Sequence, residues 1–251
     1  MSDTSVVYEG GHRLETQKDP VAQWLWIAIG VVVVALLTGL AFALVSGWLS
    51  PTGPRTALEA RIVTAADAVN KYPTSGRARY DLIVTLGLSG QDRQARSQAD
   101  AAKRDLKGVQ LPYAYLGEAT LDLNGGRYRD AITIVDQGLK VEAAAFEVER
   151  KRLARERILA TRPDSLNQVL TQFDLVKAQA SVKLGDWKGS AAALTAALEV
   201  DPLSADVLVL RAVTYRQMGD LSKARVDYQK ALSLIPGYQP AVDGLKQIGA
   251  Q

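Results

Sequence analysis

The chain holds one histidine, His12, and no cysteine among its 251 residues. Thiolate nucleophiles, thiolate metal sites and disulfides are therefore ruled out. A His-based catalytic apparatus or multi-His metal centre is all but excluded with them. His12 lies in a polar tail, residues 1–20, and reads as a solvated side chain. No Gly-rich phosphate loop, nucleophile elbow or carboxylate–His metal motif occurs. Asn124-Gly125-Gly126 reads as a turn between helices, with counterparts at Gly185 and Gly219 that need no ligand. The expectation is a protein that is not an enzyme and uses no cofactor or metal.

The densest charge is ERKRLARER, residues 149–157. It could meet lipid headgroups, nucleic acid or an acidic peptide. Between 147 and 157 there are five basic and three acidic residues, so the excess is small. Pairs such as Glu147 and Lys151, four apart, favour a solvated helix laced by ion pairs. Interleaved aromatics of the kind that stack on single-stranded nucleic acid are missing. The whole chain is balanced, 30 basic against 27 acidic residues, which argues against a nucleic-acid surface.

Pro20 to Pro54 carries no charge. Its apolar part, residues 21–49, exceeds the roughly 20 residues that span a bilayer as a helix. Trp24, Trp26 and Trp48 stand at its ends, where amphipathic rings favour the interface. Ala35, Gly39, Ala43 and Gly47 recur every four residues as a small-residue stripe on which another helix could pack. Residues 21–49 are thus expected to be a single transmembrane helix in contact with the lipid bilayer, with residues 50–56 as linker. Arg13 and Lys18 on one side tie with Arg55 and Arg61 on the other. A short tail before a large domain leads us to expect a cytoplasmic N-terminus and an extracytoplasmic C-terminal domain.

Beyond the linker the chain repeats. GDWKGSAAALTAALEVDP at 185–202 returns thirty-four residues later as GDLSKARVDYQKALSLIP at 219–236. Ala178 aligns with Ala212, Leu194 with Tyr228, Ala197 with Ala231 and Pro202 with Pro236. A fixed period of this length marks stacked helical units. Leu208, Ala212 and Tyr215 share one helical face; Gly219 allows a turn; Ala224, Tyr228, Ala231 and Leu232 form the facing side; Pro236 forbids continuation.

Leu208, Ala212, Tyr215, Gly219, Ala224, Tyr228, Ala231 and Pro236 resemble the tetratricopeptide repeat. The unit at 171–204 departs at Asp174 and Ser181. The unit at 112–145 keeps Tyr115, Ala119, Gly126, Ala131 and Gly138 but departs at Asp122 and has no closing Pro. The unit at 76–109 keeps Leu86, Gly90, Ala95 and Ala102. ALEARIVTAADAVNKYP reads as a lone second helix, and YQPAVDGLKQIG as a C-terminal cap. The spacing breaks once: Gly126 to Gly185 is 59 residues, 25 more than one period. The excess reads as an extended or additional helix at about 144–163, ended by Pro163. The expected fold is all-α: a transmembrane helix, then over 57–251 an α-solenoid of about four helix pairs with a capping helix.

The resemblance implies a partner groove lined by the first helices of each pair. In this frame its wall holds Tyr80, Val84, Tyr113, Leu116, Leu175, Gln179, Val209 and Val213, with Arg77, Lys183 and Arg216 along it. The apolar members suit a partner segment with apolar side chains. The Asn and Lys set of the family's carboxylate-clamp class is not present. The chain is similar to single-pass repeat proteins of bacterial inner membranes. That similarity implies a membrane-tethered adaptor, scaffold or chaperone-like module for membrane-associated protein partners. The alternative is a permanent subunit of an export, pilus or cytochrome-assembly type of complex.

Overall fold

A computed structural model describes residues 56–158 and 162–249. They form α-helices with one 3-10 turn at Gly108–Gln110 and no strand among the described residues. α1 (Ala57–Lys71) stands alone. Four pairs follow: α2 (Gly76–Leu88) with α3 (Asp92–Asp105), α4 (Pro112–Asn124) with α5 (Tyr128–Arg155), α6 (Asp164–Lys183) with α7 (Trp187–Val200), and α8 (Ala205–Gln217) with α9 (Leu221–Leu234). α10 (Gln239–Gly249) closes the C-terminal end. Each helix packs mainly on its chain neighbours, the arrangement of an α-solenoid.

The Gly-Asp step explains the period. At the end of α8, Gly219 takes φ +81, a left-handed backbone that a Cβ would oppose. Its N–H donates to the Arg216 carbonyl, and the next N–H, of Asp220, donates to the Tyr215 carbonyl. These two bonds satisfy carbonyls that the helix end leaves orphaned. The Asp220 carboxylate then accepts the Lys223 N–H and starts α9. Gly185 and Asp186 repeat the arrangement, with φ +75 and an Asp186 bond to the Gly189 N–H. After Gly126 comes Arg127, which gives α5 no side-chain cap, so that turn keeps the glycine half of the device alone.

Small residues set the helix spacing. Ala95, Ala102, Ala119, Ala131, Ala197 and Ala212 are fully buried between paired helices. Large side chains fill the spaces beside them. Tyr228 packs on Gly244 of α10, and Phe173 on Gly138 of α5, where an added Cβ would collide with the ring. Gly138 thus replaces the Ala of other units because Phe173 occupies its methyl volume.

Most of the 25-residue excess lies in two helices, and the rest in the connection between them. α5 runs 28 residues against 14 in α7 and α9, and α6 runs 20 against 13 in α8. α5 stops at Arg155, before Pro163: Arg157 takes φ 59, and the N–H groups of Arg157 and Ile158 cap the last carbonyls. Pro163 instead sits at the start of α6, consistent with its fixed φ and missing N–H.

The expected location in a cell membrane is corrected. Among the described residues no helix is long and apolar enough to cross one. The stretch 21–49 on which that expectation rested, with Ala35, Gly39, Ala43 and Gly47, lies outside the described residues, as do the tail and most of the linker.

An added Cβ at Gly219 meets no neighbour, so its cost is backbone strain alone. Gly219→Val should destabilise the protein by about 1–2 kcal/mol in urea unfolding, and Gly219→Asn by clearly less. Equal losses in the two variants would contradict the left-handed turn.

Candidate partner-binding cleft

The first helices of consecutive pairs do not all meet. α2 packs on α4 and α4 on α6, whereas α6 and α8 are joined chiefly through α7. The space left between α6 and α8 is a cleft of about 760 Å³. Leu175 and Val182 line it from α6, Leu210 and Val213 from α8, and Trp187 and Leu194 form its floor on α7. Gln179, Lys183, Gln217 and Asn124 supply polar groups. Leu175 and Leu210 also border a second, 460 Å³ hollow, whose other walls include Gln168, Thr171, Gln172 and Asp206. The cleft therefore continues along α6, from an apolar stretch near Lys183 to an amide- and hydroxyl-rich stretch near Asp206. Leu210 is 42% exposed and Val182 36%, so both offer apolar surface that the fold itself leaves uncovered.

The residues expected to line one wall divide into three groups. Leu175, Gln179, Lys183 and Val213 meet in the cleft. Tyr80, Tyr113 and Leu116 meet Arg77 at a hollow of 170 Å³. Gln168, Val169 and Gln172, from the extra N-terminal turns of α6, close that end, and the Tyr113 hydroxyl donates to the Ser165 carbonyl at 3.4 Å. Tyr113 and Leu116 belong mainly to the core there. Val209 points into the core with Leu208 and Tyr228 and does not line the cleft. Val84 and Arg216 are half-buried on α2 and α8. Leu210, Thr214 and Trp187 were not expected in the cleft. Leu210 and Thr214 follow Val209 and Val213 by one residue, which is about 100° around a helix. A one-position rotation of the assumed face would have found them.

Buried charges fix the walls. The Arg211 guanidinium donates twice to Asp227 at 2.8 Å and once to the Thr195 hydroxyl, linking α7, α8 and α9. Asp122, which replaces an aromatic residue of the repeat, accepts from Arg96 at 2.6 Å and Arg127 at 2.9 Å. Glu142 accepts from Arg162 at 2.6 Å. Burial raises the Glu142 carboxyl above its usual range, and the Arg162 charge and hydrogen bond oppose that rise. Asp174 has no such partner. It is 6% exposed and accepts no hydrogen bond among the described residues. Burial pushes its carboxyl up to about 6; Lys177 lowers it and Glu199 raises it further.

The run 149–157 forms the exposed end of α5. Arg150 and Lys151 pair with Glu147, and Arg152 pairs with Glu149 and Glu156. This is the solvated, ion-paired helix that the charge balance favoured. Among the described residues no group of three or more His, Cys, Asp or Glu could hold a metal ion.

Stacked helix pairs with left-handed glycine turns and an open cleft between first helices define a helical-repeat protein. Residues 205–238 match the family model described as tetratricopeptide repeat, so α8 and α9 together correspond to one such repeat. Repeats of this family are protein–protein interaction modules. Two solved structures are similar. One is TTC0263, a thermophilic TPR protein of Thermus thermophilus, at 19% identity over 77% of this chain and 89% of that one, with a TM-score of 0.48. The other is YrrB, described as a TPR protein with an unusual peptide-binding site, at 17% identity over 72% of this chain and 97% of that one, with a TM-score of 0.28. Both likenesses are distant, and the architecture rests on this chain's own helices. No curated protein matches the chain.

The raised Asp174 carboxyl sets a pH dependence. Between pH 3.8 and about 6 the folded chain holds a proton that the unfolded chain has lost. Stability therefore falls as pH rises through this window and stays lower above it. The charges acting on Asp174 are Lys177 on its own helix and Glu199 on α7, and Arg162, before α6, borders the same hollow; Lys177 and Arg162 are themselves paired with Asp136 and Glu142 on α5. Asp174→Asn should gain about 1–3 kcal/mol at pH 7.5 and much less at pH 4, by urea unfolding. An equal effect at both pH values would place the carboxylate in solvent.

Proposed function

We propose that this chain is an adaptor that holds an apolar-faced protein segment in the cleft between α6 and α8. One observation carries the reading: a 760 Å³ cleft with aliphatic walls and a tryptophan floor opens where two first helices do not pack directly. Closing apolar surface over Leu210, Val182 and Val213 supplies affinity at roughly 25 cal/mol per Å² removed from water, before the costs of association. Gln179, Gln217 and Asn124 at its edges can pair with a partner's backbone or polar side chains. This mixed lining suits a partner that exchanges, since permanent interfaces are larger and more apolar.

A photo-crosslinking residue at Gln179 of the full-length chain should join it to a discrete partner in the cells that make it. The same residue at Lys188, exposed on α7, should not. Val213→Glu should weaken capture at Gln179 at least about tenfold, the effect of some 1.4 kcal/mol, with helicity by circular dichroism unchanged. Undiminished capture in the helical variant would overturn the cleft assignment.

A further inference from the structure

Asp174 and Leu175 are consecutive, so their side chains leave α6 about 100° apart. Leu175 faces the cleft, while Asp174 faces a hollow of about 500 Å³ between α5, α6 and α7, which meets the polar end of the cleft at Asn167 and Val200. Leu139, Leu170, Ala196 and Val200 give that hollow apolar walls. Asp174, which is buried, and Glu199, which is exposed, both border it, as does Arg162; among the described residues neither carboxylate accepts a hydrogen bond or forms an ion pair. The neighbouring cations are already engaged. Arg162 donates to Glu142 at 2.6 Å and lies over the Phe146 ring, and Lys177 donates to Asp136 at 2.6 Å. Asp174 and Glu199 are thus the two carboxylates on this hollow, and Arg162, the one cation on its lining, is already paired with Glu142.

The fold has an apolar solution for this position. Thirty-four residues on, the equivalent of Asp174 is Leu208, which is fully buried in the core. A desolvated, unpaired carboxylate there costs stability that Leu would not, and groups of this kind concentrate at functional sites.

We propose that this hollow binds a primary alkylammonium group, with its carbon chain on Leu139, Leu170, Ala196 and Val200 and its head between Asp174 and Glu199. An ammonium carries three donors, and Asp174, Glu199 and the Asn167 side-chain oxygen are acceptors on the same wall system. An aliphatic stem with a charged head matches apolar walls that end in carboxylates. A bare divalent ion would need more oxygen ligands, and among the described residues no such group of ligating side chains is assembled. The shared chemistry could come from a free polyamine or from a lysine side chain of a partner.

The test uses the full-length chain and pentylammonium chloride at pH 7.5, with sodium chloride and tetramethylammonium chloride at equal ionic strength as controls. Pentylammonium should raise the melting temperature in a dose-dependent way beyond both controls. Asp174→Asn should weaken binding by calorimetry at least about tenfold, and Glu199→Gln should weaken it less. Val213→Glu, in the cleft, should bind pentylammonium like the unaltered chain, which separates this site from the proposed partner cleft. Spermidine and a short peptide with a central lysine then distinguish the sources. Tighter binding of the amine supports the site with a free polyamine, and tighter binding of the peptide supports it with a partner lysine. No stabilisation beyond the controls, or equal binding by the folded Asp174→Asn chain, would overturn the proposal.

Discussion

Everything in this solenoid depends on a turn that only a residue without a side chain makes cheaply. Gly90, Gly126, Gly185 and Gly219 each end a first helix with φ between 75 and 81, and each directs its N–H to a carbonyl of the helix just finished. The chain is thereby sent back along its own path within one or two residues. Two helices that return so sharply must lie close together, and they can do so only where alanine and glycine face each other. The burial of Ala131, Ala197 and Ala212 is the consequence. Aromatic residues such as Tyr228 and Phe173 then fill the gaps between pairs.

The same constraint creates the cleft. A pair held tightly by its own turn meets the next pair through whichever helices lie nearest. Between the last two full pairs, α7 carries that contact and α6 stands away from α8. The open space is a product of stacking order, and its lining is whatever α6 and α8 present to each other. Two unusual features cluster at the break in period. α5 and α6 are both lengthened, and Glu142, Arg162 and Asp174 bring charge into the interior. Arg162 neutralises Glu142 but leaves Asp174 without a partner. One position of the repeat is therefore apolar in the regular unit, at Leu208, and charged beside the stretch, at Asp174.

Much of this was legible in the residues alone. Turns at Gly185 and Gly219, packing at Ala197 and Ala231, and a lone helix at each end of the four pairs follow from residue type and spacing. The site was less legible. Leu175, Gln179, Lys183 and Val213 reach one cleft, but Val209 belongs to the core, and Tyr113 and Leu116 lie mainly within it. On a helix that is covered by neighbours on several sides, apolar residues appear on nearly every face. Periodicity alone then does not say which face is left open. Nor could spacing reveal that the first turns of α6 would close the hollow beside Tyr80.

What the sequence determined by itself was local. A glycine that needs a left-handed backbone, an aspartate that caps the next helix and an alanine that admits a close neighbour act over a few residues, so their types and intervals suffice to set helix pairs and their period. What only the tertiary structure decided was the relation between pairs: that α6 and α8 part to leave a cleft, and that Asp174 is buried without an ion pair. Those outcomes depend on how several helices share space. Contacts between residues far apart in the chain settle that competition, and no interval along the sequence records them.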